Sequence, residues 1–459
     1  MPYFFISAAH KSSGKTTLSV GLTAAFRARG LSLQTFKKGP DYIDPMWLSA
    51  ASGRSCINLD FFTMRREEIL QTFTRFMQDS DLGIIEGNKG LYDGLDLEGS
   101  NSNAALASLL HAPVILVIDA RGMTRGIAPL ILGYQSFDPD IRIAGVVLNK
   151  VGGSRHEEKL RRVIEHYTDV SVVGAVHYSP SLVIDERHLG LLPSNEAERA
   201  REKIATLGNS VASQVDLQRI LEIAGDTSLT LPGKEIPSDA AIVGKGLRIG
   251  YPQDRAFGFY YPGDLEKLAA AGARLVPFDC TRDVHLPQID ALFIGGGFPE
   301  SSMELLEGNQ SMRNEIRAFI ENGGAAYVEC GGLMYLARSL TWKGKTCKMA
   351  GVIPADAVMH SRPQGRGYVR LRETGESPWP LLPGQDQIIS AHEFHYSALE
   401  GLPGETRFAY DVLRGTGIDG KKDGIVYKNL LASYAHLRDV GGNRWTRRFL
   451  NHVERVKKG

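Results

Sequence analysis

Short apolar runs separated by amphipathic stretches dominate the first two hundred residues. The opening Met1-Pro-Tyr-Phe-Phe-Ile-Ser reads as a first strand and is followed by the runs Leu82–Glu86, Val114–Asp119, Ile143–Leu148 and Val170–Val176. Each is rich in Val and Ile and ends at polar or glycine residues, the pattern of parallel strands buried on both faces. From about Asn195 the texture changes. Glu196 to Ala224 has helical character, and Asp226–Gly246, broken by Pro232, Gly233, Pro237 and Gly244, reads as a linker. A second alternating series starts at Leu247, with strands expected at Ala291–Ile294 and Ala325–Glu329, a helix after Cys330 and a last strand near Leu430–Tyr434. The pattern predicts two α/β domains, 1–195 and 246–459, joined by a helical segment and linker at 196–245, with no internal repeat.

At 459 residues the chain is about three times the ~150 residues of a typical domain, which agrees with more than one core. Lysine and arginine total 53 against 52 aspartates and glutamates, leaving a net charge of +1. That balance argues against a general electrostatic grip on nucleic acid or an anionic membrane. The 50 glycines have no collagen-like period and suit tight turns and loops that approach phosphate. Cys56, Cys280, Cys330 and Cys347 are far apart with no C-x-x-C pair, so neither a zinc site nor a disulfide framework is indicated and a reducing cytoplasm is expected. No apolar run reaches the ~18 residues of a membrane span, and the N-terminus lacks the basic lead of a signal peptide. Neither a nucleic-acid nor a membrane partner is expected; a homodimer is left open.

Candidate chemistry begins where the first strand ends. Ser12, Ser13, Gly14, Lys15, Thr16 and Thr17 stand between that strand and a plausible helix starting at Leu18. Backbone N–H groups there can cradle phosphate, Lys15 can reach the outer phosphates of ATP, and Thr16 can ligate Mg²⁺. The full P-loop pattern is not met, because Ala9 takes the first glycine position and His10 replaces the lysine of deviant P-loops. Carboxylates that help hold the metal are sought at strand ends. Glu86 closes an apolar strand, and Asp41 and Asp44 lie in a Pro/Gly loop where they act either as ligands or as turn caps. Asn149 and Lys150 close another strand, where the amide either reads adenine or merely forms a turn.

The second domain offers a nucleophile. Ala325-Ala-Tyr-Val-Glu-Cys-Gly-Gly-Leu reads as strand, sharp turn and helix with Cys330 at the turn, and the helix N-terminus favours a thiolate. Glycines 295–297 follow another strand and, with Gly331, offer backbone donors around an oxyanion; Gly296, Gly297 and Gly331 are the candidates. His436, in Ser433-Tyr-Ala-His, supplies a base. His392 and His395 have metal-like spacing, but the segment looks extended and no third ligand is nearby, so no metal is expected there. The basic tail from Arg444 to Lys458 reads as a solvated final helix.

Several blocks together resemble the cobyrinic acid a,c-diamide synthase family. They are Lys-Gly-Pro-Asp-Tyr-Ile-Asp-Pro (38–45), Glu-Gly-x-x-Gly-Leu-Tyr-Asp-Gly (86–94), Asp-Ala-Arg-Gly-Met (119–123), Gly-Gly-Gly-Phe-Pro-Glu (295–300), Glu-Cys-Gly-Gly-Leu (329–333), His-Glu-Phe-His-Tyr-Ser (392–397) and Ser-Tyr-Ala-His (433–436). The resemblance implies a dethiobiotin-synthetase-like P-loop domain with a parallel sheet, followed by a class I glutamine amidotransferase α/β domain. It implies that ATP turns a carboxylate of a polycarboxylated tetrapyrrole into an acyl phosphate, while Cys330 takes ammonia from glutamine. Thr16, Asp41 and Glu86 would hold Mg²⁺, and Tyr42, Asp44, Asp93 and Lys89 would lie on the acceptor side. Class I enzymes place a Glu two residues after the histidine; Arg438 stands there, so a Cys330–His436 dyad is expected rather than a triad. Asn88-Lys89 and the arginines of 362–368 depart from corrinoid members, and 87–90 with 96–103 resembles the sirohaem-amidating branch, which makes sirohaem an alternative acceptor. A reading of another class is a P-loop regulatory ATPase with a non-catalytic glutaminase-like domain.

Overall fold

The computed structural model describes all residues except 185, 188, 189, 192, 195–198 and 228–242, and for 186, 187, 190 and 191 it describes the backbone alone. Most of the expected linker at 226–246 therefore lies outside the described residues. Two compact units emerge, Met1–Ile236 and Pro237–Gly459.

The first unit is built on seven parallel strands: β1 Tyr3–Ala8, β2 Leu33–Lys38, β3 Ile57–Leu59, β4 Leu82–Glu86, β5 Val114–Asp119, β6 Ile143–Val151 and β7 Val172–His177. Their spatial order is β3-β2-β4-β1-β5-β6-β7. Every residue of β1, β4 and β5 is buried, which is why they read as unbroken apolar runs. Strand β2, Leu-Gln-Thr-Phe-Lys-Lys, is equally buried yet escapes the hydrophobic pattern, because its lysines find protein partners in place of water: Lys37 the carboxylates of Asp44 and Glu86, Lys38 the Asn88 amide oxygen at 3.2 Å. The helical stretch expected as a separate segment belongs to this unit. It forms two helices, Ala200–Gln214 and Leu217–Gly225, whose Leu207, Val211, Leu217 and Ile220 join the core around Leu18, Leu22 and Phe26. The break between them falls at Val215, which bridges to Gly174, and at Asp216, which caps the second helix by accepting from the Arg219 N–H at 2.9 Å.

The second unit holds a nine-stranded sheet. In spatial order it runs Arg274–Phe278, Arg248–Pro252, Ala291–Ile294, Ala325–Glu329, Leu430–Ser433, Lys422–Tyr427, Arg407–Arg414, Gly365–Glu373 and Ile388–His395. The first five strands are parallel and the remaining pairings antiparallel. Strand Ala325–Glu329 is central and buried on both faces. Its Ala326 and Val328 pack with Ile294 and Leu333, whereas Tyr327 points into an aromatic core with Phe293, Trp379, Trp445 and Phe449. The basic tail is a helix, Trp445–Lys458, but only its far end is solvated: Arg448 is buried and paired with Glu373 at 2.6 Å, and Phe449, Leu450 and Val453 fill the core.

A short helix, Gly331–Leu336, follows the central strand, and its Gly332 packs against the sheet. A Cβ there would lie 2.7 Å from Ile294 Cγ2 and Val328 Cγ1 and 2.8 Å from the Ile294 carbonyl. Gly332→Ala is therefore expected to destabilise the second unit by about 1–3 kcal/mol, through forced displacement of packed atoms. Urea unfolding followed by tryptophan fluorescence measures this, and an unchanged midpoint would contradict such close packing.

Candidate active sites

The loop between β1 and the helix Lys15–Ala28 needs left-handed backbone at Ser12, with φ 65°, and at Gly14, with φ 93°. Gly14 has no room for a side chain, since a Cβ would lie 2.0 Å from Asn149 Nδ2. Asn149 Nδ2 donates to the Ser13 carbonyl at 2.8 Å, and Lys150 Nζ donates to the Ser12 carbonyl at 2.9 Å and to Asp119 at 3.1 Å. These two residues, expected at the nucleotide, brace the phosphate loop. Ser13 is buried with its hydroxyl donating to His10 O, and Thr17 sits in the first helical turn. Lys15 Nζ donates to the Lys89 carbonyl at 2.5 Å; burial, with the neighbouring Lys37 charge, pulls its pKa down to about 8.

Beside it lies a buried charge cluster. Parallel register places Lys37 of β2 opposite Glu86 of β4. Lys37 Nζ stands 2.5 Å from Asp44 Oδ2, 2.8 Å from Glu86 Oε1 and 3.8 Å from Asp41 Oδ2. Burial opposes the Lys37 charge, but Asp44 and Glu86 outweigh it and hold the ammonium well above its usual range. Burial and then Asp44 push Asp41 up to about 7, burial raises Glu86, and Asp44 is held low by Lys37 despite its burial. Thr16 Oγ1 donates to Glu86 Oε1 at 2.7 Å and to Asp44 Oδ2 at 3.2 Å. The carboxylate brought to Thr16 alongside Glu86 is thus Asp44, not Asp41. Asp41 is chiefly a turn cap, accepting from the N–H groups of Ile43 and Asp44 at 2.9 and 3.2 Å. Tyr42 is buried where the helix Ile43–Ser52 begins.

The residues fit a magnesium ion. Glu86 Oε2 is buried without a hydrogen-bond partner, next to the Thr16 hydroxyl. Among the described residues no three His, Cys, Asp or Glu side chains form a cage, but Mg²⁺ keeps waters and phosphate oxygens and needs only one or two carboxylates. The segment after Glu86 is held by the buried Asn103. Its Nδ2 donates to Ser7 Oγ at 3.1 Å, to Gly90 O at 2.9 Å and to Asn88 O, and its Oδ1 accepts from the Asn88 N–H at 3.1 Å. Lys89 is exposed with φ 36°, and Asp93 closes the turn by accepting from the Gly90 N–H at 2.8 Å.

In the second unit Cys330 occupies a strained elbow, φ 44° and ψ −100°, with its N–H on the Ser433 carbonyl at 2.7 Å. Its Sγ lies 3.8 Å from the Phe394 carbonyl. A Cβ on Gly331 would lie 2.9 Å from Gly297 N, so these two glycines face each other beside the sulfur. Gly296 plays a different part: its Cβ would lie 2.6 Å from His436 Cε1, so it makes room for the ring. His436 hydrogen-bonds to Cys330, and its Nδ1 lies 3.1 Å from Glu329 Oε2. The expected Cys330–His436 pair thus has a carboxylate against the ring, that of Glu329, the residue before the cysteine. Arg438, at the usual acid position, instead lies over the Tyr261 ring, 4.6 Å away. Burial opposes the His436 charge, but the bonds to Cys330 and Glu329 outweigh it and bring the pKa up to about 10, so the imidazolium faces the sulfur. His392 and His395 do not converge. His395 stacks on Tyr434 at 3.7 Å and shares Nδ1 with the Ser397 carbonyl, while His392 bridges through its backbone to His436. Arg366 lies over Phe394.

The family described as "CobQ/CobB/MinD/ParA nucleotide binding domain" matches residues 5–191, and that described as "CobB/CobQ-like glutamine amidotransferase domain" matches 248–440. A cobyrinate a,c-diamide synthase of Magnetococcus marinus is 49% identical, over 97% of this chain and 96% of its own. The synthases of the same name from Methanosarcina acetivorans and Archaeoglobus fulgidus are 41% and 38% identical, over 96% and 100% of this chain and 93% and 98% of theirs. The chain belongs to the cobyrinate a,c-diamide synthase family. It is accordingly an ATP-using amide ligase with glutamine as nitrogen donor.

For this synthase-family chain, sequence reasoning missed Lys37, Asn103 and Glu329. Glu329 had a visible signal, a charged residue closing an otherwise buried strand; Lys37 and Asn103 had none, since the strand of Lys37 carries no apolar run and the partners of Asn103 are Ser7 and backbone atoms distant in sequence. Removing the Lys37 charge leaves the buried Glu86 and the half-buried Asp44 and Asp41 carboxylates uncompensated. Lys37→Met should therefore cost the first unit about 3–5 kcal/mol at neutral pH. Asp41 and Glu86 already have raised folded-state pKa values, so the folded state takes up protons before the unfolded one as pH falls from about 7 towards 4. The deficit should shrink over that window, as read by denaturant melts across pH; a deficit independent of pH would show that these carboxylates do not carry it.

Proposed function

We propose that this chain amidates peripheral acetate carboxylates of a cobyrinate-type tetrapyrrole through an acyl phosphate. In the first unit the substrate carboxylate attacks the γ-phosphorus of ATP, giving the acyl phosphate and ADP. Lys15 and the loop 12–17 hold the phosphates, with Asn149 and Lys150 keeping the loop in shape. Thr16, Glu86 and Asp44 would hold Mg²⁺, which when bound supplies charge neutralisation across the phosphates. On the acceptor side Lys89 offers an exposed cation for a ring carboxylate, and Leu95 and Leu97, 51% and 98% exposed, offer apolar contact to the macrocycle.

In the second unit the Cys330 thiolate attacks the carboxamide carbon of glutamine. The N–H groups of Gly297 and Gly331 offer donors to the oxyanion, and His436 gives its proton to the departing ammonia, leaving a thioester that water hydrolyses to glutamate. Ammonia displaces phosphate from the acyl phosphate and forms the amide. The observation that carries this reading is the paired Cys330 and His436 on a strained elbow, since an appendage used only for binding needs neither the strain nor the buried imidazolium. The work of such an enzyme belongs in the cytoplasm.

Cys330→Ser should lower glutamine-driven amidation by on the order of 10⁴-fold while leaving ammonium-driven amidation within about twofold. Loss with both donors would refute the division of labour. Lys15→Ala should remove activity with either donor, and ammonium-driven turnover retained there would misplace the ATP site. Mass spectrometry after incubation with ATP, Mg²⁺ and glutamine should show cobyrinate exchanging hydroxyl for amino groups, with lower turnover on sirohaem because remote contacts align the carboxylate. Faster conversion of sirohaem would transfer the assignment to the alternative acceptor.

A further inference from the structure

The loop bearing His436 enters beside the central strand and meets a carboxylate already in place. Strand alternation puts Tyr327 and Glu329 on one face, while Cys330 begins the turn away. Glu329 is 2% exposed. Its Oε1 accepts from the Tyr327 hydroxyl at 2.5 Å and from the Leu437 N–H at 3.0 Å, and its Oε2 meets His436 Nδ1 at 3.1 Å. A carboxylate only accepts, so Nδ1 carries a proton and the opposite nitrogen is left for the sulfur. Tyr327 is dependable as a donor, because burial and Glu329 push its ionisation far above the usual phenol range.

We infer that Glu329 is the orienting acid of the glutaminase centre, a positioning residue that fixes the tautomer and direction of His436 in place of the acid that Arg438 displaces. The inference rests on the glutaminase reading given above. Glu329 is bonded through its carboxylate to the ring. Also facing His436 are Cys330 itself and the imidazoles of His392 and His395, which burial keeps neutral with pKa values of about 3 and about 4. Arg438 turns to Tyr261 and Asp264. Glu329 also anchors the Leu437 N–H, so one side chain sets both the orientation of the imidazole and the path of the backbone that carries it.

Glu329→Gln separates this role from a merely structural one. The amide oxygen can keep accepting from Tyr327 and Leu437, but the amide nitrogen then faces Nδ1 and forces the proton to the nitrogen nearest the sulfur. Glutamine hydrolysis should lose on the order of 10² to 10⁴-fold in kcat with KM within about threefold, and ammonium-driven amidation should stay within about twofold. Alkylation of Cys330 by iodoacetamide, followed on its peptide by mass spectrometry, should move its pH inflection upward by about one unit or more. Wild-type kcat and an unmoved inflection in Glu329→Gln would overturn the inference. Should that variant lose amidation with both donors, as a misfolded protein would, Glu329→Asp decides: its inflection should rise by a smaller amount, and an unmoved one overturns the inference. Absence of glutaminase activity in the unaltered chain would instead overturn the reading on which it rests.

Discussion

Both chemical centres depend on backbone passing closer to its neighbours than a Cβ would allow, at the carboxyl ends of parallel strands. Gly14 lies against the Asn149 amide, and Gly331 and Gly332 lie against Gly297 and the Ile294–Val328 floor. Strand ends of an open α/β sheet are where ligands bind, and a turn made there without side chains exposes N–H groups to an anion. In the first unit the anion expected is phosphate and in the second a tetrahedral oxyanion. The same geometric economy serves both.

Buried charge is the second theme, and it is handled by pairing. Lys37 is enclosed with Asp44 and Glu86, Arg448 with Glu373, and His436 with Glu329. Isolated charges in such surroundings would be neutralised or expelled. Paired, they keep cations and carboxylates in place where water is scarce and where small displacements of a reacting group are costly.

Much of this was legible from residues alone, for physical reasons that differ by element. Strands such as Val114–Asp119 were readable because burial on both faces leaves an unbroken apolar run, and the phosphate loop and elbow because glycine has few substitutes in left-handed or crowded turns. Strand Leu33–Lys38 was unreadable because its buried lysines look like surface residues until their partners, distant in sequence, are known. The terminal helix was misjudged for the same reason: Arg448 counts as a solvated charge in composition and as a core residue in space. Asn149 stands at a strand end, where an amide either faces a ligand or forms a turn, and its bond to the Ser13 carbonyl joins residues too distant in sequence to be read as a pair.

The adjacency of Glu329 and Cys330 reduces the number of independently placed parts. Three side chains that must align usually come from three chain segments, so errors of position accumulate over two joints. Here two of them are consecutive residues fixed by one strand and one turn, and only the segment from Ser433 to Leu437 has to be brought to them. Alignment then has a single adjustable joint, so a displacement of that one segment by a fraction of an ångström disconnects the base while leaving nucleophile and acid as they were.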